Sequence, residues 1–538
     1  MRWGRAMKHT RFVGAGAILM MLVVCAGASF SYGRRHIAEN KNYYAPLPPA
    51  PAGEDPLAHM DEEFIVDEGF TSHMPVVILD TEGTEPPVNT YYLSSESRYA
   101  DIEDMDPYVN GTFLLLDKQD GLNCLADEPA LVSSMRIKRR GNSSMFFEKA
   151  QWLIKLTTES GQDNDQDLLG MGEENEWILN GSMFDKSMIR NYLANRIASE
   201  FMPYTIDSRF CEVLIKDGSV YRYQGVYLLM ESIKQGKNRV NIADYKEKDA
   251  FNSYLVRRDR LDDGANTLET YGRLNGYSKE YLALLYPGKM RATRKMIEYV
   301  EKDISSIEKI LYSDDPKVFY TYPEVIDVDS FVDYFLLNEF FGSYDAGNHS
   351  TYFYKDVGGK LTMGPVWDFD MAMDNYIHEP LAVGYLAFQT KPWFDRLCMD
   401  DTFLEKLEKR YIKLRRTSLS ERHINAVIDE ATAYLGGARE REWARWGHWY
   451  TTYNRYSPED YTQEDGTVLY RNATHYYDEI YRMKAALQEH GKEIPQQIKY
   501  LRESAVFDSG GLSNWMKWLL LLSAAVFIIP AVFVGFRK

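Results

Sequence analysis

Three aspartates near the middle of the chain are arranged as a phosphoryl-transfer site would need them. Asp345 stands alone, whereas Asp368 and Asp370 flank an aromatic residue further along the chain. In phosphoryl transfer, one aspartate orients the attacking hydroxyl group and another holds Mg²⁺ against the nucleotide phosphates. The arrangement therefore predicts that Asp345 acts on the hydroxyl group and that Asp368 and Asp370 hold the metal ion.

A helix is predicted to end just before the first of these acids. From Asp327 to Glu339 the apolar residues recur at helical spacing, and Gly342 would stop the helix. Asp345 should therefore lie just past the end of a helix, in a loop that the helix holds in place.

A hairpin is predicted to return the other two acids to the same place. Thr351–Tyr354 is rich in strand formers, Gly358-Gly359 is a turn signal, and Leu361–Val366 reads as a second strand. The second strand ends immediately before Asp368. The hairpin should therefore place Asp368 beside Asp345.

A second hairpin, earlier in the chain, carries positive charge. The predicted strand that ends at Arg140 is joined by a turn at Gly141–Ser144 to a predicted strand that contains Lys155. Glycine and small hydroxyl residues allow backbone amides to approach an anion, while Arg140, Lys149 or Lys155 can neutralise phosphate charge. An ordinary solvated hairpin would show a similar pattern, so the charge indicates phosphate binding only in combination with the acids.

An apolar strand, Tyr223–Glu231, ends in a carboxylate. Protein kinases use a glutamate to pair with a phosphate-binding lysine. We predict that Glu231 pairs with Lys155, which lies within a strand, and this favours Lys155 over Lys149 as the phosphate-binding lysine. A strand-end carboxylate that faces water is the alternative.

Together these segments resemble the CotH kinase family, the atypical kinases named after a spore-coat protein. The resemblance covers roughly Pro75 to Tyr411 and rests on Arg140-Gly141-Asn142-Ser143-Ser144, Trp177-Ile178-Leu179-Asn180, Ile189–Ala194, Tyr223–Glu231, Asp345, Trp367-Asp368-Phe369-Asp370 and Pro392–Leu397. It implies a divergent two-lobed protein-kinase-like fold of the α+β class. It also implies an enzyme that binds ATP with Mg²⁺ or Mn²⁺ and phosphorylates serine or threonine of secreted, spore-coat or cell-surface proteins.

The resemblance also implies roles for individual residues. By position, Asp345 is the catalytic acid, Asp368 binds the metal and Asp370 assists it. The nucleotide-binding residues implied are Arg140, Asn142, Ser143, Lys149, Lys155, Glu231 and Trp367. Many relatives place an asparagine directly before the aromatic strand, whereas this chain has Ser350-Thr351 there and Asn348 earlier. Asn348 is therefore the third candidate metal ligand.

The two ends of the sequence are apolar. Residues 1–34 begin with basic residues and continue into an apolar run, which predicts a signal peptide or signal anchor. Residues 515–536 predict a transmembrane helix, followed by Arg537-Lys538. Because basic residues beside a span stay in the cytoplasm, the main domain is expected on the non-cytoplasmic side, at the cell surface or spore envelope. The proline-rich residues 35–74 predict an extended tether.

The sequence between these segments predicts two further parts. Residues 75–415 form the predicted kinase-like domain, with a strand-rich first half and a helical second half. Residues 416–508 read as a helical, aromatic-rich extension. Its aromatic residues between Glu440 and Tyr481 could contact a cell-wall glycan or a partner, or could pack as an ordinary helical layer.

Composition and motifs exclude several classes. The formal net charge of −17 argues against nucleic-acid binding and suits basic partners. The sequence lacks a phosphate loop of the Gly-x-x-x-x-Gly-Lys type, a His-Glu-x-x-His helix and a Gly-x-Ser-x-Gly elbow. Glycoside hydrolysis by paired carboxylates stays open, but the cationic hairpin favours phosphoryl transfer. The predicted function is an exported, membrane-anchored CotH-like kinase, and the alternative is a catalytically idle scaffold or adhesin that organises a spore-coat or cell-wall layer.

Overall fold

The computed structural model describes residues 44–506, apart from 52, 54, 97, 119–120, 262–263, 382–383 and 464–465. The predicted signal segment at 1–34, the start of the tether and the predicted transmembrane helix at 515–536 lie outside the described residues. Among the helices within the described residues, none is both long enough and apolar enough to cross a membrane.

The described residues form strands first and helices later. The strands are β1 (Ile65–Val66), β2 (Thr71–Ser72), β3 (Val76–Asp80), β4 (Thr90–Leu93), β5 (Arg98–Asp101), β6 (Val109–Leu116), β7 (Asn123–Cys124), β8 (Leu131–Arg139), β9 (Trp152–Thr157), β10 (Gln166–Asp167), β11 (Glu173–Glu174), β12 (Glu176–Asn180), β13 (Ser208–Asp217), β14 (Val220–Glu231), β15 (Tyr254–Asp259), β16 (Asn266–Leu268), β17 (Tyr281–Tyr286), β18 (Thr351–Lys355), β19 (Thr362–Met363), β20 (Tyr461–Thr462) and β21 (Val468–Leu469). The helices are α1 (Arg190–Ala198), α2 (Tyr271–Leu274), α3 (Arg294–Leu311), α4 (Pro316–Phe319), α5 (Tyr322–Val325), α6 (Val328–Phe341), α7 (Phe394–Leu397), α8 (Asp401–Leu414), α9 (Glu421–Thr451) and α10 (Tyr476–Glu503), with short 3₁₀ helices at Ser143–Phe146 and Ala387–Thr390. A strand-rich first half and a helical second half agree with the predicted α+β class.

Seven strands close into a barrel. Its neighbours run in the order β14-β12-β9-β8-β6-β3-β13, and β13 pairs with β14 to complete the ring. The β3–β13 pair is parallel, and the other pairs of the ring are antiparallel. Because successive side chains point to opposite faces, every second residue points into the barrel. Trp152, Ile154, Trp177, Tyr227 and Leu229 lie in this apolar interior.

The helix and hairpin that position the three aspartates form as predicted. The carboxylate of Asp327 accepts hydrogen bonds from the amides of Asp329 and Ser330 at 3.1 and 3.4 Å, so it caps the start of α6. Gly342 ends α6 with a left-handed φ of 64°. β18 then pairs with β19 through Phe353 and Met363. β19 is shorter than predicted, since residues 364–366 leave the sheet before Asp368.

The helices that follow residue 416 are joined to the rest of the fold by buried ion pairs. From α9, Arg441 lies 2.7 Å from Glu212 of the barrel. From α10, the carboxylate of Glu479 lies 2.5 Å from the guanidinium of Arg190, and both side chains are fully buried. Trp446 of α9 is also buried in a small aromatic cluster. The exposed tyrosines among the described residues of this region are Tyr453, Tyr461, Tyr470, Tyr477, Tyr481 and Tyr500.

The described part of the predicted tether contacts the domain. The Tyr44 hydroxyl donates to the Ile206 carbonyl at 2.7 Å, and the ring is buried. Further on, the amide of Ala50 donates to the carbonyl of Ala433 in α9 at 3.0 Å. Between Met60 and Met74 the chain forms β1 and β2, and β1 pairs with β14 of the barrel. The described residues between 44 and 74 therefore contact the domain at several points in this structure.

The buried pair of Arg190 and Glu479 yields a prediction on stability. Burial alone would raise the pKa of Glu479, but the charges of Arg482 and Arg190 outweigh it and lower the pKa from 4.5 to about 2. We expect Glu479→Gln to lower the free energy of unfolding by about 3–5 kcal/mol at neutral pH, because Arg190 would keep a buried, incompletely paired charge. The measurement is urea unfolding of both proteins.

The pH dependence of this effect follows from the direction of the shift. Because the pKa of Glu479 is lower in the folded state, its stabilisation is complete above about pH 4.5 and is lost as the pH falls toward 2. The difference between wild type and variant should shrink over that range, and a constant difference would contradict the assignment. Glu503→Gln, at an exposed pair with Lys499, is the control and should change stability little.

Candidate active site

The structure brings the three predicted acids together. The carboxyl groups of Asp368 and Asp370 lie close enough to share a hydrogen bond. Burial, followed by the charge of Asp345, raises the pKa of Asp368. Burial, followed by the charge of Asp368, raises the pKa of Asp370 well above its ordinary value. Like charges held this close disfavour each other's ionised form, and a bound cation would relieve that repulsion.

The loop that carries the two paired acids is held by α1 and by its own turn. The amide of Phe369 donates to the Asn191 side chain at 2.8 Å, and the guanidinium of Arg190 donates to the Ala372 carbonyl at 2.9 Å. The amide side chain of Asn375 donates to the Asp370 carbonyl at 2.7 Å. These contacts hold Asp368 at a φ of 72°, which is uncommon for a residue with a side chain.

Two serine hydroxyls contact the acids. Ser182, in the loop after β12, donates to Asp370 at 2.7 Å, and Ser350 donates to Asp368 at 3.0 Å. Ser350 directly precedes β18. The predicted ligand Asn348 lies two residues earlier, where its backbone N–H donates to the backbone carbonyl of Asp345 at 3.1 Å. Within the described residues, Ser350 therefore makes the contact to Asp368 from this loop.

Asp345 has a cation nearby that the sequence did not reveal. The ammonium of Lys391 donates to the carbonyl of Tyr344 at 2.5 Å, and its stem is packed against Gly347. A Cβ atom at Gly347, whose φ is +89°, would lie 2.6 Å from the Cβ atom of Lys391. Burial lowers the pKa of Lys391, and the charge of Asp345 partly offsets this. Lys391 is thus a buried ammonium beside the predicted catalytic acid.

Arg140, one of the predicted nucleotide-binding residues, lies near Asp368 and Trp367. The guanidinium of Arg140 lies 5.1 Å from the centre of the Trp367 ring and donates to the Gln151 side chain at 3.1 Å. Burial lowers the pKa of Arg140, while the negative charge of Asp368 acts in the opposite direction. Trp367 itself is buried. A guanidinium at this place can bind a phosphate that also approaches Asp368.

The other residues of the cationic hairpin lie around its turn. Asn142 is exposed and precedes the short 3₁₀ helix that begins at Ser143. Lys149, after this helix, is buried and lies 2.6 Å from Glu442 of α9. Its side chain lines a small cavity of about 10 Å³, together with Asn180, Ser182, Asp185 and Asn191, which is room for about one water molecule. Because Ser182 and Asn191 also contact the Asp368–Asp370 segment, the cavity places Lys149 behind the acids.

The predicted pair of Lys155 and Glu231 is wrong. Lys155 lies 3.3 Å from Glu176, whereas Glu231 lies 2.6 Å from Arg239. The physical reason is the alternation of side chains in the barrel. Ile154 points inward, so Lys155 points outward, and Glu231 follows the inward series that contains Leu229. The two side chains therefore lie on opposite faces of the same sheet.

A family model of the CotH kinase protein matches residues 137–489. The match begins within β8 and spans the cationic hairpin, all three acids and much of the C-terminal helices. The chain belongs to the CotH kinase family. No curated protein matches the chain in sequence.

The CotH family implies a nucleotide and a divalent metal, and the acids fit such a metal in part. Within the described residues, no group of three or more His, Cys, Asp or Glu side chains is placed to hold a metal ion. Asp368 and Asp370 nevertheless offer two adjacent carboxylates. Mg²⁺ prefers oxygen ligands and is commonly held by one or two carboxylates together with substrate phosphates. The pair is therefore suited to a metal whose coordination a nucleotide completes.

Several residues of this CotH-family site were not predicted from the sequence. Arg190 and Asn191 belong to a run that carries the resemblance, but their contacts to the acid-bearing loop were not foreseen. Ser182, Lys391 and Glu442 come from separate parts of the chain and have no local motif. Only the fold brings them to the acids.

Repulsion between the acids yields a prediction for the metal-free protein. Asp370→Asn should raise the melting temperature by a few degrees in the presence of a chelator, because it removes a buried charge beside Asp368. It should also abolish the stabilisation that Mn²⁺ and ATP give together, since a metal ligand is lost. Thermal scanning fluorimetry measures both effects, with Asp329→Asn on the exposed start of α6 as the control. An unchanged shift with Mn²⁺ and ATP would exclude Asp370 as a ligand.

Proposed function

We propose that this CotH-family chain transfers the γ-phosphate of ATP to serine or threonine hydroxyls of secreted, coat or cell-surface proteins. The observation that carries the proposal is the convergence of Asp345, Asp368 and Asp370 from two separate elements. Two of the three have raised pKa values, as expected where carboxylates are gathered for a cation. The basic side chain of Arg140 lies near Asp368, and Lys149 lines a small cavity with Ser182 and Asn191, which contact the acid-bearing loop.

Each acid has a distinct proposed role. Asp345 lies half-buried in the loop after α6, and its proposed role is to accept the proton of a substrate hydroxyl. Asp368 and Asp370 would hold Mg²⁺ or Mn²⁺, which when bound neutralises charge on the phosphates. Ser182 and Ser350 fix the orientation of these two carboxylates through the hydrogen bonds described above. Asn348 stays a candidate ligand from the same loop as Ser350.

The proposed roles of the basic side chains differ: two would bind the nucleotide phosphates, and one would act near the attacking hydroxyl. Arg140 reaches Asp368 across the ring of Trp367 and would bind nucleotide phosphate oxygens. Lys149 would do so from the cavity behind the acids. Lys391 lies beside Asp345 and would stabilise negative charge as the hydroxyl attacks. Because Glu231 is occupied by Arg239, we assign Lys149 in preference to Lys155 as the phosphate-binding lysine.

We further propose that the domain lies on the non-cytoplasmic side of a membrane. The support is the pattern of basic residues beside the two apolar ends of the sequence. The exposed tyrosines of the C-terminal region are the surface on which contact with a cell-wall glycan is proposed.

A catalytically idle scaffold is the second candidate, favoured by one observation. Ser350 occupies the position at which many relatives carry asparagine, and a neutral hydroxyl donates to Asp368 there. Such a scaffold would bind nucleotide without transferring phosphate.

The acids give the decisive prediction. Asp368→Ala should abolish transfer of labelled phosphate to the chain itself or to a serine-rich substrate, while the melting temperature of the metal-free protein does not fall, because the change removes a carboxylate that repels its neighbours. Asp345→Asn should lower turnover by about a hundredfold or more with little change in ATP affinity, since this acid acts on the nucleophile. Asp329→Ala is the control. Full transfer by Asp368→Ala would refute the assignment, and nucleotide binding without transfer in the wild type would favour the scaffold.

The two lysines of the hairpin give a separate prediction. Lys149→Met should weaken Mg·ATP binding by about tenfold or more, because it removes a charged partner of the phosphates. Lys155→Met should weaken it by about twofold or less, since Lys155 points away from the barrel interior and lies against Glu176. Calorimetric titration with Mg·ATP separates the two. A larger effect from Lys155→Met would instead support Lys155, the lysine favoured from the sequence, as the phosphate-binding residue.

A further inference from the structure

A lysine from the barrel and a glutamate from the C-terminal region form a pair that is fully removed from water. The ammonium of Lys149 lies 2.6 Å from the Glu442 carboxylate, and the two side chains are 1% and 0% exposed. The partners are separated by 293 positions in the sequence. The ammonium nitrogen of Lys149 also lies 5.1 Å from the centre of the Tyr227 ring. Lys149 is therefore held by a residue outside the cationic hairpin.

The position of Glu442 is set by several contacts. Its second carboxylate oxygen accepts the amide of Val226 at 2.7 Å, and the first also accepts the Tyr450 hydroxyl at 2.6 Å. Gly225 has a φ of +122°, and a Cβ atom there would lie 2.2 Å from the carboxylate. A residue with a side chain at this bulge would displace the carboxylate. The carboxylate of Glu442 can therefore reach β14 only because position 225 is glycine.

The cavity connects this pair to the acids. Lys149, Ser182 and Asn191 all line it. Ser182 donates to the carboxylate of Asp370, and Asn191 accepts the amide of Phe369. Lys149 therefore shares a water-sized cavity with two residues that hold the loop carrying the metal-binding acids, and a phosphate group bound to those acids would lie near it.

Stability alone does not account for the pair. A buried ion pair contributes little beyond what well-packed apolar residues of similar size would give. The preceding residue of α9, Arg441, already joins the same helix to the same barrel through its own buried pair with Glu212. A second charged pair beside the acids is explained if its lysine must present a charge to the cavity.

We infer that Glu442 is a positioning residue, which holds the ammonium of Lys149 in place for the phosphates of the nucleotide. This inference rests on the proposed function. It makes α9 a part of the active site, although its glutamate lies in the region that follows the predicted kinase-like domain. The arrangement serves the purpose of the lysine–glutamate pair of protein kinases, with the glutamate supplied from the C-terminal side of the acids.

The test compares nucleotide with nucleoside. In the full chain, Glu442→Gln should weaken Mg·ATP binding by about tenfold or more, because Lys149 loses the charged partner that fixes it. Adenosine has no phosphates, so its affinity should be unchanged. Glu212→Gln is the matched control, since it breaks the neighbouring buried pair of the same helix and should leave both affinities unchanged. Calorimetric titration measures all of them.

Two further variants keep the test decisive if Glu442→Gln folds poorly. Glu442→Asp keeps the charge but withdraws it from Lys149, and it should show a smaller loss confined to Mg·ATP. In a Lys149→Met background, Glu442→Gln should cause no further loss of Mg·ATP affinity, because the two residues act through one contact. Equal losses for ATP and adenosine, equal losses in Glu442→Gln and Glu212→Gln, or additive losses in the double variant would overturn the inference. A wild-type chain that binds no Mg·ATP would instead overturn the proposed function.

Discussion

Repulsion among three half-buried or buried carboxylates is the constraint around which the centre of this molecule is organised. The charge of Asp345 raises the pKa of Asp368, the charge of Asp368 raises the pKa of Asp370, and a flexible loop would let the three separate. The surrounding contacts oppose this. Asn191 holds the amide between the paired acids, and Ser182 holds one carboxylate from the side of the barrel. These hydrogen bonds, which do not depend on the metal, offset the unfavourable free energy of holding the carboxylates close together.

The C-terminal helices supply much of this support. Arg190 is fixed by Glu479 of α10 and in turn donates to the carbonyls that follow the acids. On the same helix, Arg482 contacts the carboxylate of Asp374, which lies in that segment. Together with Glu442, these residues join the last helices both to the barrel and to the acid-bearing loop. Because the contacts are buried and charged, removing these helices would leave unpaired charges at the site.

The parts of the site that local patterns specify could be predicted from the sequence. The capped helix α6 and the hairpin of β18 and β19 depend on caps, turns and spacing within a few residues. The partners of Lys149 and Lys155 could not be predicted, because they depend on the register of a closed barrel and on a helix far along the chain. The predicted pair of Lys155 and Glu231 failed for this reason: both were placed on the correct strands but on opposite faces.

Because side chains alternate between the two faces of each strand, the basic residues of the cationic hairpin do not all lie in one place. Arg136 and Lys138 point away from the barrel interior with Lys155, and all three surround the ring of Tyr108 at 4.5, 5.2 and 5.8 Å. Burial lowers the pKa of Lys138 there. Arg140, at the end of this outward series, is the member that reaches Trp367. The basic run seen in the sequence is therefore not one phosphate-binding surface. Most of it is directed to a tyrosine and to nearby acids on the outer face of the barrel, and a short segment around the turn contributes to the site.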